Sequence, residues 1–478
     1  MASFRRGRRK KTTFELRYKI FNVSLLNGRF PITSTRSDII SRALVRSHSE
    51  IDIFSNAWSP KDPFSTLDLL TEDAITYTAE KGRRGLGTIH VFPAGQPGNG
   101  YSNNIYTIPV NGIGRDWTIP WDSHVTANVL TCGLAEGSNI TAKYMKTLGM
   151  RDRCVTSFRG VSAATAQVSA VIALALEANR NLTLREVQHL LIHASEPVLT
   201  AGSGFSPNGV GLFYHSNFGF GLLNAEKLVI LAERSKAMPP RLSRTITETI
   251  REKSATVVGV NICYECDVLT DKTCLNILEH VMVEVRLKTW KIPLRILLIS
   301  PSGTKSLLVN YTSTEKKNTG SRVLFTSVHF WNESAFEVWR LEYTELQSPI
   351  DENDFQPSLS LYGTRQRTSN QTQNSINICD KRTRDIAKTT SFIESMVGTD
   401  SSIKKTTTTE SNATSGYARA VVLPILIVIF APLVCVFMCC RTKSKNRLNG
   451  SEFIEIIEKP CVCIPKLKGN QYWQLHEN

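Results

Sequence analysis

The sequence predicts an α/β domain with a parallel sheet, then an all-β sandwich, then a single membrane-spanning helix. Three observations carry this. From Ser37 to about Ala237, short β-rich runs alternate with helical periodicity. From about Val257 to Thr364, period-two runs separated by turn residues replace that alternation. Ala420 to Cys440 holds 21 residues without a charge. At ~1.5 Å rise per residue such a helix is ~30 Å long, the thickness of a bilayer core.

The first region opens on IDIFSNAW (51–58) and GTIHVFPAG (87–95), apolar strands ending in small or turn residues. TLDLLTEDAITYTAEKG, SAATAQVSAVIALALEAN and TLREVQHLLIHAS have helical spacing, and Thr183 is an N-cap candidate for the last. The helix through Val168, Val171, Ile172, Leu174 and Leu176 is apolar almost all round, which predicts central burial. Pro239 and Pro240 end this pattern. HVMVEVRLKTW, LRILLISPSGT, SLLVNYTS, RVLFTSVHFW, EVWRLEYTE and SLSLYGT then supply the sandwich strands. The organisation reads as a basic segment (1–20), an α/β domain (21–238), a sandwich (239–364), a Ser/Thr-rich stalk (365–419), the span (420–440) and a tail (441–478).

Charge and cysteine usage set the compartment. Lys+Arg 57 against Asp+Glu 42 gives +15. The basic clusters Arg5–Lys11 and Arg441–Arg447 are not interleaved with aromatics, which argues against nucleic acid. The second cluster follows the span at once, so the positive-inside rule puts the C-terminus in the cytosol. Asn22, Asn139, Asn181, Asn310, Asn332, Asn370 and Asn412 sit in N-x-S/T triplets before the span and are candidate glycosylation sites. Of the six cysteines before the span, Cys263, Cys266 and Cys274 lack an evident fourth ligand for zinc, so a local disulfide is expected there. The first residues contain no apolar leader, and the expectation is a natural start upstream of Met1.

Several motifs in order sharpen this. GRRGLGTIHVFPAG, GYSNNIYTIPV, LALEANRNLTLREVQHLL and YHSNFGFGLLNAEKLV closely resemble the subtilisin-like domain of furin/kexin-type proprotein convertases. LISPSGTKSLL, EVWRLEY and LYGT resemble the P domain that follows it in that family. The resemblance runs from about Phe21 to Thr364. It implies an incomplete subtilisin-like α/β fold with a central buried helix, followed by a jelly-roll-like β-sandwich. It also implies a calcium-dependent serine endopeptidase cleaving precursors after paired basic residues.

The family chemistry needs a Ser nucleophile, a His base, an orienting Asp and an oxyanion amide. The family's G-T-S-A-S-A-P motif reads Gly160-Val161-Ser162-Ala163-Ala164-Thr165-Ala166 here, which the resemblance reads as Ala164 at the nucleophile's position. Ser162 and Thr165 are then expected to cap and pack. Gln96 stands at the oxyanion Asn, with Pro97 stiffening the loop. No His is followed by Gly and no Asp-Gly pair occurs, so the family's H-G-T and D-D-G motifs are absent. The resemblance pairs Cys154 with a cysteine beside the missing His. For substrate, it places Asp62, Asp68 and Tyr101 in the pocket for basic side chains; the plain alternative for the two carboxylates is an ordinary solvated surface. Asn99 replaces a pocket aspartate, and His124 replaces a glutamate that helps bind calcium, so the family's calcium ligands are degraded and no cofactor is assigned.

The expectation is a membrane-anchored, catalytically inactive homologue of the Golgi, secretory pathway or cell surface. Its partners would be a proprotein, a multibasic peptide or a related convertase. The alternatives are a receptor or adhesion protein using the sandwich, and a peptidase whose gene model is defective or truncated. In the tail, Tyr472 and Leu475 form a Y-x-x-Φ pattern of the kind cytosolic sorting adaptors read.

Overall fold

The computed structural model describes residues 37–366 apart from 47, 115–116, 121, 138–143, 149–153, 199–203, 248, 254–256, 269, 288–293, 313–321 and 346–354. It also describes 2–4, 18–19, Cys379, 444–448 and 451–455. The chain divides into two units, 1–147 with 156–400, and 148–155 with 401–478. In the second unit, the strand Ser444–Leu448 pairs antiparallel with Ser451–Glu455. Among the described residues no helix is long and apolar enough to cross a membrane. The span expected at 420–440, the sorting pattern at Tyr472 and Leu475, and the sequons at Asn22, Asn139, Asn370 and Asn412 lie outside the described residues.

In the first unit, Ile53–Ser55, Ile89–Pro93, Thr107–Gly114, Thr131–Ala135 and Leu222–Leu223 form a parallel sheet in that order. These strands are buried almost throughout, as expected when helices cover both faces. Ser195–Glu196 closes one end antiparallel, and at the other Ala2–Phe4 pairs antiparallel with Ile53–Ser55.

Among the described residues, five helices surround the sheet: α1 (Ser37–Val45), α2 (Leu69–Gly85), α3 (Ser162–Ala178), α4 (Leu184–Ala194) and α5 (Ala225–Arg234). The predicted central helix is α3. Val168 and Ile172 are buried against the sheet, while Val171 and Leu174 on the other side stay partly exposed. Small residues let α3 approach closely. A Cβ on Gly133 would lie 2.8 Å from the Ala164 Cα. Thr183 caps α4 as predicted, and with Glu186 it completes a capping box.

The second half is an antiparallel sandwich. One sheet orders Leu242–Ile246, Phe355–Thr364, Ile277–Leu287 and Arg322–Ser327. The other orders Ile250–Lys253, Val257–Tyr264, Glu337–Glu345, Leu294–Ile299 and Lys305–Tyr311. Alternate side chains meet in a core that buries Phe325, Phe330, Trp339 and Tyr343. A bulge between Leu278 and Val281 brings the Ile277 carbonyl against Gly363, where a Cβ would lie only 1.9 Å away. The local disulfide expected among three cysteines is Cys266–Cys274, while Cys263 reaches Cys379 across 116 residues.

The two halves share their cores. Phe64 of the first packs edge-on to Phe325 and Tyr311 of the second. Arg185 on α4 holds the buried Glu279 carboxylate at 2.9 and 3.1 Å from Nε. Asn208 donates to the His329 and Trp331 carbonyls, both at 3.0 Å. The Asn103 side chain accepts from the Thr326 amide at 2.7 Å.

Candidate functional site

The site lies at the carboxyl ends of the parallel strands, where α/β sheets place their ligands. Gly160 takes a φ of +102°, a conformation that disfavours other residues, and turns the chain into α3. Ser162 is the first residue of α3 and is partly exposed. Its Oγ donates to the Ala57 carbonyl at 3.1 Å, which ties the start of α3 to the end of the 53–55 strand.

This geometry corrects the placement of Ala164 at the nucleophile's position. Ala164 is fully buried, with its Cα, Cβ and carbonyl against Gly133. A side chain there meets the sheet and cannot face a substrate. The family motif holds two serines, and of those two positions only the first, Ser162, stays partly exposed here. Position 162 also stands at the N-terminal end of a long helix, where the helix field favours negative charge. Thr165 is buried, and its hydroxyl lies 3.4 Å from the Val161 carbonyl one turn back.

A nucleophile also needs a base. Among the described residues no histidine ring is bonded to the Ser162 hydroxyl; its recorded partner is a backbone carbonyl. Two carboxylates that sequence reasoning missed lie at the same turn. Glu136, 1% exposed, accepts from the Gly160 amide at 2.7 Å, and Asp122 lies 3.4 Å from the Val161 amide. Glu136 Oε1 and Asp122 Oδ1 are buried without a hydrogen-bond partner among the described residues. The available signal was a charged residue directly after the apolar strand Thr131–Ala135.

Gln96 lies in the loop after the Ile89–Pro93 strand and is partly exposed. Its carbonyl accepts from Asn99, and the Pro97 carbonyl accepts from Phe64 at 2.7 Å. Asn99 is fully buried; its Oδ1 accepts from Tyr101 at 3.0 Å, while Nδ2 lacks a partner among the described residues. Asp62 is exposed, close in sequence to Ala57. Asp68 is the N-cap of α2, accepting from the Thr71 amide at 3.0 Å and its hydroxyl at 2.7 Å. Burial pushes its carboxyl up, but hydrogen bonds from Thr71 and Ser37 outweigh this and hold it low. Tyr101 is buried with Phe92 and Trp58; burial, helped by the Asp68 charge, pushes its hydroxyl up to about 12. His124 is partly buried, which pushes its imidazole down against the pull of Asp122. Asp62 and Asp68 therefore play different parts: one carboxylate faces solvent and the other holds a helix.

Among the described residues no three acidic, cysteine or histidine side chains converge.

Residues 18–221 match the subtilase family, and residues 278–357 match the proprotein convertase P-domain. Proprotein convertase subtilisin/kexin type 6 of Rattus norvegicus is 36% identical over 369 residues, covering 72% of this chain and 38% of the relative. The chain belongs to the furin/kexin-like proprotein convertase family. Other convertases agree. Type 4 of Rattus norvegicus is 32% identical over 342 residues, covering 68% of this chain and 49% of the relative. Furin of Rattus norvegicus is 31% identical over 366 residues, covering 72% of this chain and 45% of the relative. The chain thus spans half or less of each of these three convertases. A serine protease of Aeromonas sobria shares the fold with a TM-score of 0.54 at 17% identity, covering 69% of this chain and 75% of that one.

Proposed function

We propose that this convertase homologue binds basic precursor segments, or a related convertase, without hydrolysing them. One observation carries the reading: the Ser162 hydroxyl is held by the Ala57 carbonyl and has no imidazole base among the described residues. An alcohol without a base is a weak nucleophile at neutral pH. Glu136 and Asp122 add negative charge at the helix start, where an oxyanion would have to be stabilised. The same charge favours cationic ligands, as does the exposed Asp62. The apolar run 420–440 and the basic cluster after it support an anchored protein of the secretory pathway with a cytosolic tail.

The test treats the full chain with a fluorophosphonate probe and with a fluorogenic paired-basic peptide, beside Ser162→Ala. The expected result is no labelling and no cleavage, with measurable peptide binding that weakens in Asp62→Asn. Labelling that disappears in Ser162→Ala would overturn the inactive reading.

A further inference from the structure

Among the described residues the sandwich has four edge strands: Leu242–Ile246, Arg322–Ser327, Ile250–Lys253 and Lys305–Tyr311. A strand with a neighbour on one side only offers unpaired amides and carbonyls to any other chain, and charges along it oppose such pairing. Three of the edges carry those charges. Ile250–Lys253 reads IREK, with three charged residues in succession. Leu242–Ile246 has Arg244 at its centre, bound to Asp271 at 2.8 Å. Arg322–Ser327 opens on Arg322, bound to Glu284 at 2.8 Å.

Lys305–Tyr311 differs. It reads KSLLVNY, with one charge at its start. There the Lys305 carbonyl already accepts from the Tyr214 hydroxyl of the first domain at 2.8 Å. A bulge opposite Ile296 and Leu297 interrupts the pairing in its middle. Beyond the bulge, Val309, Asn310 and Tyr311 pair with Ile296, Arg295 and Leu294 on one side, and with no strand on the other among the described residues. No charge stands on this stretch.

A glycosylation triplet stands there instead, Asn310-Tyr311-Thr312. The Tyr311 ring packs edge-on to Phe64, with centroids 5.5 Å apart, so strand alternation puts Asn310 on the opposite, outer side. Asn310 and Thr312 are both exposed, and the Asn310 side chain makes no hydrogen bond among the described residues. Asn332 is the contrasting case. It is half-buried at a φ of +67°, its amide donates to the Leu278 carbonyl at 2.9 Å, and the next residue, Glu333, is fully buried. A glycan at Asn332 would have to leave a closed turn, whereas one at Asn310 leaves directly into solvent.

We propose that Asn310 carries an N-linked glycan and that this glycan shields the open edge of the sandwich. The proposal rests on the reading of the chain as a secretory-pathway protein. In the transfer step, Asn310 Nδ2 attacks the anomeric carbon of a lipid-linked oligosaccharide. A C–N bond forms, the C–O bond to the diphosphate breaks, the lipid diphosphate leaves and the amide gives up one proton. The bulky, hydrated product stands where the other three edges hold charge.

The test expresses the full chain behind a cleavable secretory leader in mammalian cells. The leader fixes the compartment, so failure of this site is distinguishable from failure of the secretory reading. Enzymatic glycan removal converts an occupied asparagine to aspartate, and peptide mass spectrometry then reads each triplet. The expected result is an occupied Asn310 and an unmodified Asn332. Size-exclusion chromatography in mild detergent compares Asn310→Gln, Thr312→Ala, Thr312→Ser and Asn310→Lys with the parent. Asn310→Gln and Thr312→Ala should leave the parent's elution position for larger species, with little change in melting temperature because the Asn310 side chain holds no other group. Thr312→Ser keeps the triplet, and Asn310→Lys replaces the glycan by an edge charge, so both should elute with the parent. An unmodified Asn310 overturns the site, whatever the other triplets carry. Asn310→Gln eluting with the parent, or Asn310→Lys associating as strongly as Asn310→Gln, overturns the shielding role.

Discussion

Ala164 on the central helix and Gly133 on the neighbouring strand touch so closely that a Cβ on Gly133 would lie 2.8 Å from the Ala164 Cα and 3.1 Å from its Cβ. This contact, deep in the fold, separates the two serines of the family motif. The position that faces the sheet is 164, and the position that opens toward the cleft is 162.

Gly133→Ala should therefore destabilise the first domain by about 1–3 kcal/mol, the usual cost of overpacking. Ala164→Ser should cost stability and restore no peptidase activity, because the new hydroxyl would point at the strand. Urea unfolding read by tryptophan fluorescence, with a peptidase assay on the second variant, checks both. Activity gained in Ala164→Ser would return the nucleophile's position to 164.

Arg185 and Glu279 join the two domains in a buried ion pair, with His189 Nε2 3.1 Å from the same carboxylate. Burial alone pushes Glu279 up, but hydrogen bonds from His189 and Arg185 pull it down to about 2. The folded value lies below the ordinary carboxylate value, so the contribution is complete above pH 4.5 and fades as pH falls toward 2. Glu279→Gln leaves Arg185 facing a neutral amide and should cost about 3 kcal/mol at neutral pH. Its stability should also fall less steeply than that of the parent between pH 4.5 and 2. Denaturant midpoints across that range provide the measurement, and parallel curves would show that the carboxylate charge is not what joins the domains.

His90, His280 and His329 are buried, which pushes each imidazole down to about 3. Unfolded histidines titrate near 6.5, so the folded state loses stability as pH falls below that value. Each group contributes a loss of up to about 1.4 kcal/mol per pH unit between its unfolded and folded values. Thermal unfolding should therefore move to lower temperature from pH 7 to pH 5, before Glu279 begins to titrate. A melting temperature independent of pH over that interval would contradict the buried neutral state.

Local features were readable from the chain. Thr183 directly precedes its helix, so spacing was enough to find the cap, while the reciprocal bond with Glu186 was added by the structure. The switch from strand–helix alternation to period-two runs marked the change from parallel sheet to sandwich. The role of Asp68 was not readable in the same way. A carboxylate before Leu69 looks the same whether it waits for a basic ligand or caps a helix, and only the bond to Thr71 shows that it caps.

Sequence alone established the order of the two domains, the central apolar helix and the kinship to the convertases, because periodicity and motifs are properties of neighbouring residues. Tertiary structure decided which serine stands at the cleft, how Glu136 and Asp122 reach the start of α3, and that Arg185 meets Glu279 from 94 positions away. Those facts depend on burial and on the meeting of distant segments, which chain order does not encode residue by residue.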